Sequence, residues 1–237
     1  MRRLLRKEEN MPHQIKAINA GGIDCFLIKT GAGFVLIDTG VANKPANLEK
    51  ELQRAGCKPG NLNLIVLTHG DFDHSGNAAY IRDRFGAKIA MHAGDSGMVE
   101  RGDQSWNRKA KPDRVTILGR IIAFISPFFT GPIEFDTFKP DLYVEDGYDL
   151  SEYGLDARVL HLPGHSKGSI GIWTTDGDLF CGDLLANFSR PSLHFVIDDL
   201  VEANVSLEKL KKLNIKTIYP GHGKPFPMEL FTKNRID

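Results

Sequence analysis

An apolar run, Leu62–Leu67, ends directly in Thr68-His69-Gly70-Asp71-Phe72-Asp73-His74-Ser75-Gly76. A compact apolar run bounded by turn residues suits a buried strand. The loop behind it carries two His and two Asp within six residues. Four such groups are costly to leave unpaired in a partly buried loop. A metal ion removes that cost, and imidazole with carboxylate is a ligand set for zinc, iron or manganese. The chain therefore needs a fold in which strand ends open into loops that can converge on one point.

Three further segments have the same shape, a strand-like run followed by a glycine-flanked ligand-type residue. They are Leu162-Pro163-Gly164-His165-Ser166, Phe180-Cys181-Gly182-Asp183 and Tyr219-Pro220-Gly221-His222-Gly223. Their glycines permit tight turns and close backbone approach. Each segment alone is weak, and the four in this order reinforce one another.

The rest of the chain reads as layered α/β structure. Short β-like runs cover Gln14–Asn19, Asp24–Thr30 and Phe34–Asp38, punctuated by glycines as hairpins are. Helical spacing covers Asn43–Ala55 and Asn77–Phe85, closed by Gly56 and Gly86, with Asp198–Leu213 as a later helix. Ala87–Met91 and Ala157–Leu162 read as strands. Ser169–Thr175 and Asp178–Cys181 form a hairpin around Asp176-Gly177, and Lys216–Tyr219 is the last strand. Residues 1–12 read as a weakly docked arm. Residues 95–150 form an insertion without clear period. Within it, Ile117–Phe129 is strongly apolar but too short to span a bilayer. It reads as a buried helix ending near Pro127, or as a lid or wall over a pocket, or a dimer contact. No linker separates independent units, so residues 1–237 are expected to be a single domain.

Composition narrows the function. Thirty basic residues balance thirty acidic ones, so nucleic-acid binding driven by net charge is not expected. No membrane span is expected. The N-terminus has no apolar stretch behind its arginines, so no secretion signal is read there. The three cysteines form no CxxC pair, which argues against a disulfide framework and for a cytoplasmic setting. The oligomeric state is open.

With these segments in hand, the sequence resembles the metallo-β-lactamase superfamily, from Leu36-Ile37-Asp38-Thr39-Gly40 to Pro220-Gly-His-Gly223. The resemblance implies an αββα sandwich of two mixed β-sheets flanked by helices, with a dinuclear metal site at one edge. It assigns His69, Asp71 and His165 to one metal, Asp73, His74 and His222 to the second, and Asp183 as the bridge. Asp38 matches a position that supports the site loop, although a plain turn residue is an equal reading from sequence. The family usually has His where this chain has Asp71. Harder oxygen ligation moves the preference from zinc toward iron or manganese. Alternatively, Asp71 does not reach the metal.

Two divalent cations, zinc first, would then bridge a water and lower its pKa toward neutrality, with Asp73 orienting the nucleophile. The expected function is a metal-dependent hydrolase acting on a small-molecule ester, thioester or lactone. A glyoxalase II-like enzyme is disfavoured because its helical C-terminal region is not expected after Gly223. A ribonuclease Z-like role is disfavoured by the neutral charge and the lack of an RNA-binding arm. Asp71 disfavours a true β-lactamase. The alternative is a non-haem di-iron redox or oxygen-binding protein acting with a separate partner; a binding module with a vestigial site is a third. His92 is expected near, but outside, the metal shell, and His161 in the core. His13 and His194 have no ligand-like context, though His194 could line a pocket. Cys181 is expected to be a small buried apolar residue, and Lys167 and Lys224 solvated surface residues.

Overall fold

Alternation along the strands sorts apolar side chains onto two faces of each sheet. In β2 (Asp24–Thr30), Cys25 and Leu27 pack outward with Leu48, Leu52, Ile81 and Phe85 of two helices, α1 (Pro45–Arg54) and α3 (Ala78–Phe85). Phe26 and Ile28 point inward, where they meet Val159, Ile172 and Phe180 of a second sheet. β3 (Gly33–Ile37) repeats the pattern, with Phe34 and Leu36 outward and Val35 and Ile37 inward. The computed structural model describes residues 13–42, 45–117, 119–121 and 135–233. Residues 1–12, and Leu118 with 122–129 of the apolar insertion, lie outside that set.

The first sheet also holds β1 (Gln14–Asn19), β4 (Leu62–Val66), β5 (Lys88–Met91) and β7 (Leu142–Tyr143), in the order β1-β2-β3-β4-β5-β7. Its first three strands are antiparallel and the pairings from β3 to β7 are parallel. The second sheet contains β8 (Ala157–His161), β9 (Ile170–Thr174), β10 (Asp178–Asn187), β13 (Thr217–Gly223) and β14 (Phe226–Pro227), in the order β14-β13-β10-β9-β8. β11 (Pro191–Leu193) pairs with β10, and β12 (Val196–Ile197) with β6 (Arg114–Val115). α5 (Leu200–Leu210) and α6 (Met228–Lys233) cover the outer face of this sheet through Ala203, Leu207, Leu210 and Phe231. Helix, sheet, sheet and helix layers make an αββα sandwich with mixed sheets, as the resemblance implied. Two short helices, α2 (Phe72–Ser75) and α4 (Ser96–Arg101), sit beside the ligand loops.

Several sequence boundaries move, each for a local reason. The last long helix starts at Leu200 because Asp199 caps it, accepting from the Val201 and Glu202 amides. The hairpin strand does not stop at Cys181 but runs to Asn187. The Tyr219 strand continues to Gly223 and is followed by β14. The insertion supplies β6 and the edge strand β7. Its Ile117 and Ile121 are 79% and 51% exposed, so the expected burial is not met at these two positions. Among the described residues no helix is long and apolar enough to cross a membrane.

Candidate metal centre

The parallel strand β4 delivers the first ligand loop. Asp38, at the end of β3 with φ of 58°, turns its carboxylate beneath that loop. Its Oδ1 accepts the Thr68 amide at 2.8 Å, and its Oδ2 accepts the Thr68 hydroxyl at 2.8 Å and His74 Nδ1 at 2.9 Å. The Thr68 oxygen, having donated to Asp38, accepts from His69 Nδ1 at 2.9 Å. Both rings are thereby fixed with Nε2 bare and facing the same space, the usual way in which outer partners orient imidazole ligands.

The second sheet supplies the other wall. β10 runs parallel to β13, but its register slips on either side of Gly182. Gly182 has φ of 51°, and a Cβ there would lie 2.7 Å from the Thr68 hydroxyl. The slip leaves Asp183 turned into the centre. Its Oδ1 lies 3.3 Å from His74 Nε2, and its Oδ2 lies 3.3 Å from His194 Nε2, 3.5 Å from His222, 3.9 Å from His69 and 4.0 Å from His165. Asp71 Oδ2 is 3.0 Å from His165 Nε2 and 3.6 Å from His69 Nε2. Asp73 Oδ2 is 3.5 Å from His222 Nε2.

All seven residues singled out from the sequence therefore meet at one edge of the sandwich. They fall into overlapping groups whose ligand atoms lie within 4.8 Å of one another: His69, Asp71 and His165; Asp73, His74 and His222; His69, His74 and Asp183. A fourth group joins His165 and Asp183 to His194. Six buried side-chain polar atoms lack a hydrogen-bond partner among the described residues, and four of them are His69 Nε2, His74 Nε2, His194 Nε2 and Asp183 Oδ1. Orphans of this kind are costly, and their concentration in one spot is what a divalent cation would resolve. The backbone leaves room as well: a Cβ on Gly221 would sit 2.5 Å from the His74 ring and 2.7 Å from Asp183 Oδ1. The residues present fit divalent-cation binding.

The electrostatics agree. Burial opposes ionisation of Asp183, but the surrounding His194, His222 and His74 hold its carboxyl well below the usual range. Burial likewise opposes charge on His222, yet Asp183 and Asp73 push it up to about 10. His74 is raised for the same kind of reason, by Asp183, Asp38 and Asp73 against burial. Burial dominates at His69, which is driven well down, and at His194, pushed down to about 3. Clustered carboxylates thus demand positive charge at the centre, and two of the imidazoles stay neutral.

The Metallo-beta-lactamase superfamily sequence model matches residues 18–222. The chain belongs to the metallo-beta-lactamase superfamily. Within it, a beta-lactamase-like protein 2 homolog of Caenorhabditis elegans is 26% identical over 205 residues, covering 85% of this chain and 56% of that protein. The acyl-coenzyme A thioesterase MBLAC2 of Bos taurus is 29% identical over 188 residues, covering 74% of this chain and 60% of that protein. The chain thus spans less than two thirds of the length of both. A solved structure of TTHA1623 in a di-iron-bound form superimposes with a TM-score of 0.67 at 24% identity, covering 93% of this chain and 97% of that one.

Against the superfamily pattern read from sequence, two residues at the centre were missed. Arg108, from the insertion, pairs with Asp71 Oδ1 through one terminal nitrogen and donates to the His165 carbonyl at 2.7 Å through the other. Burial and that pairing act in opposite directions on Asp71, and Arg108 with His165 wins, holding its carboxyl well below the usual range. His194, read from the sequence as lacking a ligand-like context though able to line a pocket, sits in the turn between β11 and β12, 3% exposed and grouped with His165 and Asp183. Neither has a motif signal, since each arrives from a loop whose path is set by tertiary packing. His92 stacks on His161 at 4.2 Å and pairs with Glu145 at 3.1 Å. His161 is half-buried, not core, because its strand end is open and its ring donates to the Lys167 carbonyl at 2.9 Å. Cys181 is buried and its thiol is pushed up to about 12 by burial, an inert residue. Lys167 and Lys224 are exposed.

Proposed function

We propose that this superfamily member is a metal-dependent hydrolase of small-molecule thioesters, esters or lactones. Two divalent cations, zinc first, would supply a water activated at neutral pH and Lewis-acid polarisation of the substrate oxygen. His69, Asp71, His165 and Asp183 would hold one cation, and Asp73, His74, His222 and Asp183 the other. The observation that carries the reading is the set of unpartnered ligand atoms gathered around Asp183.

The protein's own groups then divide the remaining work. Asp73, 27% exposed at the rim, is the carboxylate able to accept a proton from the attacking water and orient it. Phe195 packs on His194 at 3.8 Å and lies 6.0 Å from His222, with Phe188 6.1 Å from His222 and 52% exposed. These rings form an apolar shelf beside the centre, suited to an acyl chain. The thioesterase name of a relative puts thioesters ahead of the other two classes.

The test is a panel of acyl thioesters, esters, lactones and phosphodiesters given to fully metallated protein. Turnover of a carbonyl substrate is expected, with Asp73→Asn lowering kcat by about 10²–10⁴-fold. Silence across the panel would overturn the reading. Asp71 favours a second reading, a non-haem di-iron redox or oxygen-binding protein with a separate partner. Elemental analysis decides between them: about two zinc ions per chain supports the hydrolase, and predominant iron supports the redox reading.

A further inference from the structure

We infer that His194 is an additional metal ligand, binding through Nε2 the ion that His165 and Asp183 share. The inference rests on the metal site proposed above and adds a residue to it. His194 is 3% exposed, and its Nε2 has no hydrogen-bond partner although it lies 3.3 Å from Asp183 Oδ2. The opposite ring nitrogen explains why. His194 Nδ1 faces the Val196 carbonyl at 3.2 Å, and the same carbonyl accepts His165 Nδ1 at 2.9 Å. One backbone oxygen thus sets the tautomer of both rings, and leaves the His194 Nε2 lone pair facing Asp183 Oδ2 and that of His165 facing Asp71 Oδ2 at 3.0 Å, each carboxylate oxygen itself an acceptor. Acceptors aimed at an acceptor in a buried site repel unless a cation lies between them.

The competing account makes His194 a hydrogen-bond donor to Asp183. That requires Nδ1 to accept the Val196 amide, which is 3.4 Å away, a longer contact than the one to the carbonyl. It also requires an Nε2–H aligned on Asp183, and Nε2 has no such alignment.

The consequence concerns the place where this chain departs from its family. Asp71 removes one imidazole from the first ion's set, and Arg108 holds one of its carboxylate oxygens. His194 restores the count, so that His69, His165 and His194 face this ion with Asp71 and Asp183. A nitrogen-rich set of this kind suits zinc better than Asp71 alone suggests.

The test uses the full chain, stripped with chelator and reloaded. NMR-active cadmium is added to protein labelled with nitrogen isotope at histidine, and metal–nitrogen couplings are read ring by ring. A coupling at His194 Nε2 is expected, together with those at His69, His74, His165 and His222. Couplings at those four without His194 overturn the inference and leave the metal site standing. No couplings and no bound metal overturn both. Zinc competition against a chromophoric chelator gives an independent readout. His194→Ala and His194→Gln are both expected to weaken one of the two ions by at least about tenfold. Wild-type affinity in His194→Gln, which keeps hydrogen bonding but is a poor zinc ligand, would mean that only the hydrogen bond matters.

Discussion

Asp95 fastens two ligand loops to each other. Its Oδ1 accepts the Gly168 amide at 2.7 Å, and its Oδ2 accepts the Ser166 hydroxyl at 2.5 Å and the Gly70 amide at 3.3 Å. Gly70 follows His69, and Ser166 follows His165. Asp95→Ala leaves the buried Gly168 and Gly70 amides without an acceptor, while the Ser166 hydroxyl keeps Ser169 Oγ at 2.6 Å, and is expected to cost about 2–4 kcal/mol in the metal-free protein, read from urea unfolding. A change under about 0.5 kcal/mol, the range of ordinary surface substitutions, would show that water replaces the carboxylate. Asp38 offers a second case. Asn tolerates the φ of 58° there, so Asp38→Asn isolates the charge. Its amide turns an NH₂ toward the Thr68 hydroxyl or His74 Nδ1, both of which donate to Asp38. Affinity for the ion at His74 should fall by about 10–100-fold; unchanged zinc competition would sink the argument. The clustering of the seven candidate residues was legible in the sequence because each of their four segments follows a strand-like run and carries a glycine. Arg108 and His194 were not, because a loop residue's neighbours in space are fixed by contacts far away in the chain.

At the level of elements, the site depends on two strands that do not pair regularly. β10 breaks step with β13 at Gly182 to aim Asp183, and rejoins at Ala186, His222 and Gly223. Gly223 has φ of 94°, and a Cβ there would meet the Asn187 carbonyl oxygen at 2.1 Å. Gly223→Ala is therefore expected to push the end of β13 away and carry His222 with it. Metal content per chain should fall below that of the unsubstituted protein by elemental analysis. Gly86, at the C-terminus of α3, is the control. Its φ is 71° but no atom lies within 4 Å of the added Cβ, so Gly86→Ala should cost only the backbone strain of about 1–3 kcal/mol and leave metal content intact. Equal metal loss in both variants would attribute the effect to general destabilisation. Compact apolar runs bounded by turn residues made the strands readable, since a sheet covered on both faces buries consecutive side chains. The slip in β10 was hidden because Gly182 looks like a strand's end when it is a bulge within a longer strand.

Across the whole molecule, the centre joins two halves that the core also joins. His69, Asp71, Asp73 and His74 follow strands of the first sheet, while His165, Asp183, His194 and His222 come with the second. Behind them the sheets meet through apolar packing, with Phe26 5.1 Å from Phe180 and Phe180 4.8 Å from Tyr219. The bound ions are therefore expected to clamp an interface that exists without them. A ligand present at about 100 times its Kd adds about 2.7 kcal/mol per site. For a chain of this size each kcal/mol moves Tm by about 2–4 °C, which gives roughly 5–10 °C per ion. Chelation should lower Tm by that amount and zinc should restore it, while circular dichroism at low temperature stays that of the folded protein. The apolar inter-sheet core sets this last expectation, since its contacts do not pass through the ligand loops. Complete unfolding on chelation would mean that the ions, and not the core, hold the halves together. An unchanged Tm after verified metal loss would mean that neither half depends on them.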